Sequence, residues 1–343
     1  MELQILWFGL WGLLWAVYFM LDGFDLGVGI LAPFIGKSEM EKRILINTVG
    51  PVWDGNEVWL LAAGGVMFAA FPTAYAYMFS YLYAPLLLIL FALIGRGVSF
   101  EFRGKVDSDS WRKTWDMALF LGSLVPALLF GVAFGNIFQG LPMDARGYHG
   151  NLLTLLNPYG LLTGLLFLLL FLEHAAIWIT VKTEGALEAR ARALAAKLWW
   201  LLLLAAAGFL VLTAFATKLY TNFMSSPAWL AVPAAAVLAL LCMKILISGK
   251  KAVAAFFSSC VTIVMVTFTG IIGLFPNLIP SSLDPRYSLT AFNSSASPYT
   301  LKIMTLVVAI FIPIVIAYQI WAYIIFKDPV TEKDLYDPDS GAY

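Results

Sequence analysis

The chain has 343 residues, 61% of them hydrophobic and 12% charged, and its 21 basic and 21 acidic side chains cancel to a formal net charge of zero. Soluble domains carry about a quarter of their residues as charges, so an ordinary soluble fold is excluded and a polytopic membrane protein is expected. Zero net charge also withholds the basic footprint that a nucleic-acid partner requires.

Charge-free stretches long enough to cross a bilayer as helix, which takes roughly 20 residues, recur at 3–21, 58–95, 117–143, 150–172, 198–217, 219–243, 252–283 and 303–326. Phe71-Pro72-Thr73 breaks the 58–95 stretch, because proline ends a helix and restricts the residue before it. The expectation is therefore an all-α protein with nine transmembrane helices, one unit over 1–327, and a loose polar tail over 328–343. Unbroken apolar runs of this length exclude a β-barrel.

The basic residues orient it. Loops after odd-numbered spans hold 17 of the 21 Lys and Arg, leaving Arg146, Lys218, Arg286 and Lys302 on the other side. The positive-inside rule then puts the odd loops and the C-terminus in the cytoplasm and the N-terminus outside. No cleavable signal is evident: Glu2 stands where a basic region is needed, and no small-residue cleavage site follows.

Between the first two spans, Glu39, Glu41, Lys42 and Arg43 beside Ile44, Leu45 and Ile46 suggest a short amphipathic helix at the cytoplasmic interface. The outer segments near 140–157 and 276–300 are proline-rich, which favours ordered turns. Glycine pairs at four-residue spacing (Gly23 and Gly27, Gly131 and Gly135, Gly160 and Gly164) let helices approach closely. The 12 Trp read as interfacial belts and core packing. Cys242 and Cys260 lie in separate spans, so neither a disulfide framework nor a zinc site is indicated.

Chemistry concentrates in four acids, Asp22, Asp25, Asp54 and Glu57, at the edges of the first two spans. Acids at membrane depth are costly and face a bundle interior or a water path. Each pair is three residues apart and shares a helix face. Arg96, near the inner end of the third span, is the available counter-charge, with Asp25 its expected partner. Together with Asn47 and Asn56 these residues would form a polar funnel suited to proton uptake. Helix capping is the competing reading for Asp54 and Glu57. Glu173 and His174 lie within the fifth span but are sequence neighbours, so they do not face each other. One embedded histidine is too few to hold a haem between two imidazoles, and a hydrogen-bonded histidine is expected. Nucleotide-loop, zinc-protease, serine-nucleophile and dinucleotide motifs are absent.

Several stretches resemble subunit II of the bacterial cytochrome bd quinol oxidases: Asp22-Gly-Phe-Asp-Leu-Gly-Val-Gly29, Pro51-Val-Trp-Asp-Gly-Asn-Glu-Val-Trp-Leu60, Gly131 to Pro142, Leu156-Asn-Pro-Tyr-Gly-Leu161 and Phe275 to Ser282. The resemblance implies a heterodimer of the bacterial cytoplasmic membrane in which subunit I carries the b and d haems and this subunit ligates none. It implies that Asp54 belongs to a cytoplasmic proton path rising along the subunit interface, with Asp22, Asp25 and Arg96 near it. Glu57 departs from an amide in one relative, and Glu173 and His174 match no family role. Small single-span accessory subunits and a structural quinone are further implied possibilities. A proton-coupled secondary transporter is the alternative, since intramembrane acids suit it too. No pair of Gly/Pro-broken spans in corresponding halves supports that alternative. A scaffold whose acids are caps is the third reading.

Overall fold

The computed structural model describes residues 1–336. Thirteen helices follow in order: α1 (Glu2–Ile35), α2 (Glu39–Val49), α3 (Trp53–Ala70), α4 (Pro72–Tyr81), α5 (Tyr83–Phe102), α6 (Asp109–Gln139), α7 (Pro158–Lys182), α8 (Gly185–Ala216), α9 (Tyr220–Ser225), α10 (Ala231–Ser248), α11 (Ala252–Leu274), α12 (Pro298–Ile325) and α13 (Glu332–Tyr336). In hydrocarbon every backbone polar group must be satisfied within the segment, which is why apolar runs of this length become helix.

Eight of these helices are long and apolar enough to cross a membrane: α1, α5, α6, α7, α8, α10 (counted from Pro227), α11 and α12. The ninth expected span falls on α3, whose 18 residues include Asp54, Asn56 and Glu57 near its start. Those polar residues keep it outside the apolar set. The break at Phe71-Pro72 appears as expected, with Phe71 at φ −133° and ψ 60° between α3 and α4.

Several boundaries differ from the charge-free runs. α1 continues 14 residues beyond Leu21, the end of its charge-free run, so Asp22 and Asp25 lie inside a helix of 34 residues rather than at its edge. Their charges are absorbed by partners in the bundle, so nothing ends the helix there. The stretch 219–243 divides into α9, a short turn and α10, because Pro227 interrupts it. The tail is not loose over its described part: Val330 N donates to Lys182 O at 2.9 Å, and Leu335 is buried. Residues 337–343 of the expected tail lie outside the described residues.

α1 is the axis of the bundle, touching α3, α6, α7 and α11. Glycine makes its contact with α7 possible: a Cβ built on Gly27 would stand 2.3 Å from Phe171 O and 2.4 Å from Ala175 Cβ. The α6–α7 contact is equally tight, with a Cβ on Gly131 falling 2.5 Å from Thr163 O.

At one end of the bundle the basic loops converge. Arg103 bonds Glu39 (2.7 Å) and Asp116 (2.6 Å), Lys42 bonds Asp116 (2.9 Å), and Arg190 reaches Glu41 (2.6 Å). These pairs tie α2 to α5, α6 and α8. The expected amphipathic helix is therefore present, capped by Ser38, and buries Leu45, Ile46 and Val49. At the opposite end two hairpins, β1 (Met143–Asp144) with β2 (Gly147–Tyr148) and β3 (Asn277–Ile279) with β4 (Leu289–Thr290), close the loops after α6 and α11. Leu141 joins them through Pro280 O and Ser282 N.

Candidate functional site

Asp22 and Asp25 sit three residues apart on α1, both buried, at 0% and 1% exposure. Arg96 of α5 is buried to the same degree. Its guanidinium grips Asp22 through both carboxylate oxygens, at 3.0 Å and 2.5 Å, and reaches Glu57 of α3 at 3.2 Å. Such fork-to-fork pairing is the strongest geometry available to a carboxylate. The expected Arg96–Asp25 pair is thus replaced by Arg96–Asp22. The rotation of α1 points Asp25 toward α3, where its Oδ2 accepts from Asn56 Nδ2 at 2.8 Å.

The cluster is sealed by the last transmembrane helix. Tyr323 of α12 donates its hydroxyl to Asn56 Oδ1 at 2.8 Å, and Gln319, one turn earlier, bridges Gly55 O and the Trp59 indole at 2.8 Å and 2.9 Å. Inside, Asp25 Oδ1 and Arg96 Nε are buried without a hydrogen-bond partner among the described residues. Two orphaned polar atoms in one place suit a site that takes in water or a proton.

Asp54 stands apart. It lies in the first turn of α3, exposed, with no cap hydrogen bond at that terminus. Capping in the strict sense is therefore not its role, although a carboxylate there still favours the helix dipole. Glu57, one turn on, is 24% exposed and bridges this outward face to Arg96. Asn47, the other expected funnel residue, donates to Arg43 O and, with Tyr323 and Lys182, lines a cleft of roughly 370 Å³ at the basic end.

Gln319 and Tyr323 escape the sequence reading. The one signal for them is a Gln and a Tyr at i, i+4 in an otherwise apolar helix.

His174 has a partner on each ring nitrogen: Met20 O at 2.9 Å on Nε2 and Ser259 Oγ at 2.6 Å on Nδ1. Its ring stacks on Phe256, with centroids 4.7 Å apart. Both nitrogens are used inside the bundle, so this arrangement does not fit an axial haem ligand. Among the described residues no three His, Cys, Asp or Glu side chains converge as a metal site.

Residues 3–326 match the family described as cytochrome bd terminal oxidase subunit II. The chain belongs to that family. It is 40% identical over 334 residues to the cytochrome bd ubiquinol oxidase subunit 2 of Bacillus subtilis, covering 97% of this chain and 98% of that protein. To the cytochrome bd-I ubiquinol oxidase subunit 2 of Escherichia coli it is 36% identical over 365 residues, covering 97% and 96% of the two chains. The solved bd oxidase of Geobacillus thermodenitrificans shares the fold, with a TM-score of 0.77 at 19% identity over 95% of this chain and 99% of that one. Family and apolar helices together make this subunit II a multi-pass protein of the bacterial inner membrane.

Proposed function

We propose that this chain is the haem-free subunit of a quinol-oxidising, oxygen-reducing heterodimer, that it stabilises a haem-bearing subunit I, and that its acid cluster supplies part of a proton path from the cytoplasm. The unit spans the membrane nine times over 1–327, α3 included, with the N-terminus outside and the basic end cytoplasmic. The observation that carries the path is the sharing of one guanidinium by buried Asp22 and half-buried Glu57, with buried Asp25 beside them. Arg96 neutralises Asp22, which leaves Asp25 and Glu57 without a full counter-charge. Charge balance in a low-dielectric interior then favours keeping protons on them. A proton arriving at exposed Asp54 has Glu57 one helical turn away and Asp25 beyond it.

The exposure of Asp54 also supports a partner on that face. A carboxylate on the outer surface of a membrane helix needs protein or water beside it, and subunit I would provide both. The alternative of a secondary transporter gains nothing from this arrangement, because the described helices offer no broken pair at the cluster.

The fit for haem in this chain is poor, as His174 has no free nitrogen. The fit for a structural quinone is better. An apolar cleft of roughly 630 Å³ between α1, α3, α4, α5 and α6 is lined by Trp15, Leu60, Phe68, Tyr75, Leu86 and Phe130. The Trp15 indole N–H is buried without a partner and could donate to a quinone carbonyl, with the aliphatic lining holding the tail. Small accessory subunits remain compatible with the exposed helix faces.

Asp54→Asn tests the path. Quinol-driven oxygen consumption should fall at least tenfold, while the visible haem spectrum of the purified complex keeps its bands. Near-normal turnover in the assembled variant would remove Asp54 from the mechanism.

A further inference from the structure

α7 carries an acid that the cluster does not use. Glu173 is fully buried, at 0% exposure, and nine residues of helical rise put it about 13 Å from the basic end of its helix. Neither carboxylate oxygen has a hydrogen-bond partner among the described residues. The adjacent His174, by contrast, has a partner on both nitrogens. A carboxylate left ionised in such surroundings is heavily penalised, whereas a neutral acid or one given a partner is tolerated.

A cation is anchored on the neighbouring helix: Lys244 of α10 reaches α8, which packs along α7. Its ammonium donates to Ala196 O at 2.9 Å and lies 5.3 Å and 5.2 Å from the ring centroids of Trp199 and Trp200. Carbonyl and ring contacts of this kind hold a cation without neutralising it.

A small notch lies one helical turn from Glu173. Glu173, Ile177 and Thr180 follow one face of α7 at i, i+4 and i+7. Ile177 and Thr180 line a notch of roughly 20 Å³ shared with Arg192 of α8, Lys250, and Ala255 of α11. That volume holds about one water. Lys250 is exposed at its mouth, and its inner end is one turn short of Glu173. Around the acid, α8 offers Arg192 paired with Glu188, α10 offers Lys244, and α11 offers Cys260 and serine hydroxyls but no acid or base. The carboxylates of α1 are occupied by Arg96 and Asn56, and Asp116 of α6 by Lys42 and Arg103.

We propose that Glu173 is a second proton-exchange site of the subunit. At rest it holds its proton as a neutral acid. On release the O–H bond breaks, the proton passes to a water entering the one turn between the acid and the notch, and Lys244 leaves Ala196 O to pair with the new carboxylate. The inference uses the orientation proposed above only to name the notch cytoplasmic, and it does not depend on the Asp54 path.

Infrared spectroscopy of the purified complex tests it. Glu173→Gln should remove one protonated-carboxyl stretching band, which in the unmodified complex shifts in heavy water and bleaches reversibly as pH rises. Lys244→Gln should keep that band at rest while moving its bleaching to higher pH. Asp54→Asn should leave the band untouched, which separates a failure here from a failure of the Asp54 path. An unchanged carboxyl region in Glu173→Gln would overturn the proposal by showing the group ionised. A band indifferent to both heavy water and pH would overturn it by showing a sealed structural acid. Should Glu173→Gln fail to assemble, isotope-labelled glutamate in the unmodified and Lys244→Gln complexes decides the matter by the presence or absence of the pH response.

Discussion

Arg96 shows at the level of single residues how a buried charge is tolerated: three of its nitrogen–oxygen contacts go to two carboxylates, and no solvent reaches it. Removing one partner of such a pair strands the other, at a cost of about 3–5 kcal/mol, whereas removing both is far milder. Arg96→Ala should therefore lower the thermal stability of the assembled complex more than Arg96→Ala combined with Asp22→Asn, and a double variant worse than either single would refute direct pairing. His174→Leu should leave haem content and band positions unchanged. It should cost about 1 kcal/mol of stability, because the His174 bonds to Met20 O and Ser259 are lost while Ser259 keeps Phe256 O; loss of one haem with intact co-purification would contradict this. The acids, Arg96 and Asn56 were legible in the sequence because polar residues at membrane depth are conspicuous. Which aspartate meets Arg96 was not legible. Both share a face of α1, and the choice depends on how that helix is rotated against α5, a packing outcome that spacing leaves open.

Helices here are joined by two different means, close backbone approach inside the bundle and ion pairs at its basic end. Gly27→Leu should prevent α1 and α7 from meeting, since even a Cβ would stand 2.3 Å from Phe171 O. Overpacking of this kind costs about 1–3 kcal/mol or more, readable as reduced yield of assembled complex. α2 depends instead on charge. The Arg190 guanidinium bonded to Glu41 holds its carboxyl below the usual carboxylate range. A depressed acid contributes stability that is present above its ordinary range and lost as pH falls through the lowered value. Protection of the α2 amides, taken relative to their intrinsic exchange rates, should accordingly fall on acidification, and Arg190→Ala should shift that fall to higher pH. The existence of α2 and the glycine contacts were readable from pattern. Helix ends were not, because charged residues with partners, such as Asp22, do not end a helix in the way a charge count assumes.

Across the whole molecule, the least buried of the spanning helices is also the one that closes the site. α12 buries only Leu301 among its residues and is held by polar contacts, including Trp7 to Leu301 O and Thr305, Trp59 to Gln319, and Tyr323 to Asn56. Tyr323→Phe should slow turnover several-fold with unchanged haem content, because Asn56 would then hold Asp25 less firmly; undiminished oxygen consumption would remove Tyr323 from the site. The layout of spans was largely legible from hydropathy, and α3, an expected span that is not among the eight apolar helices, was the exception because Asp54, Asn56 and Glu57 make it less apolar. The long separation between Asn56 and Tyr323 has a consequence for biogenesis. A ribosome delivers α1, α3 and α5 well before α12, so during translation the acids are assembled on one side and open on another. The cluster remains unfinished until α12 emerges, and a chain truncated before Gln319 would insert most of its helices yet present an unlatched acid cluster to the membrane's quality-control proteases.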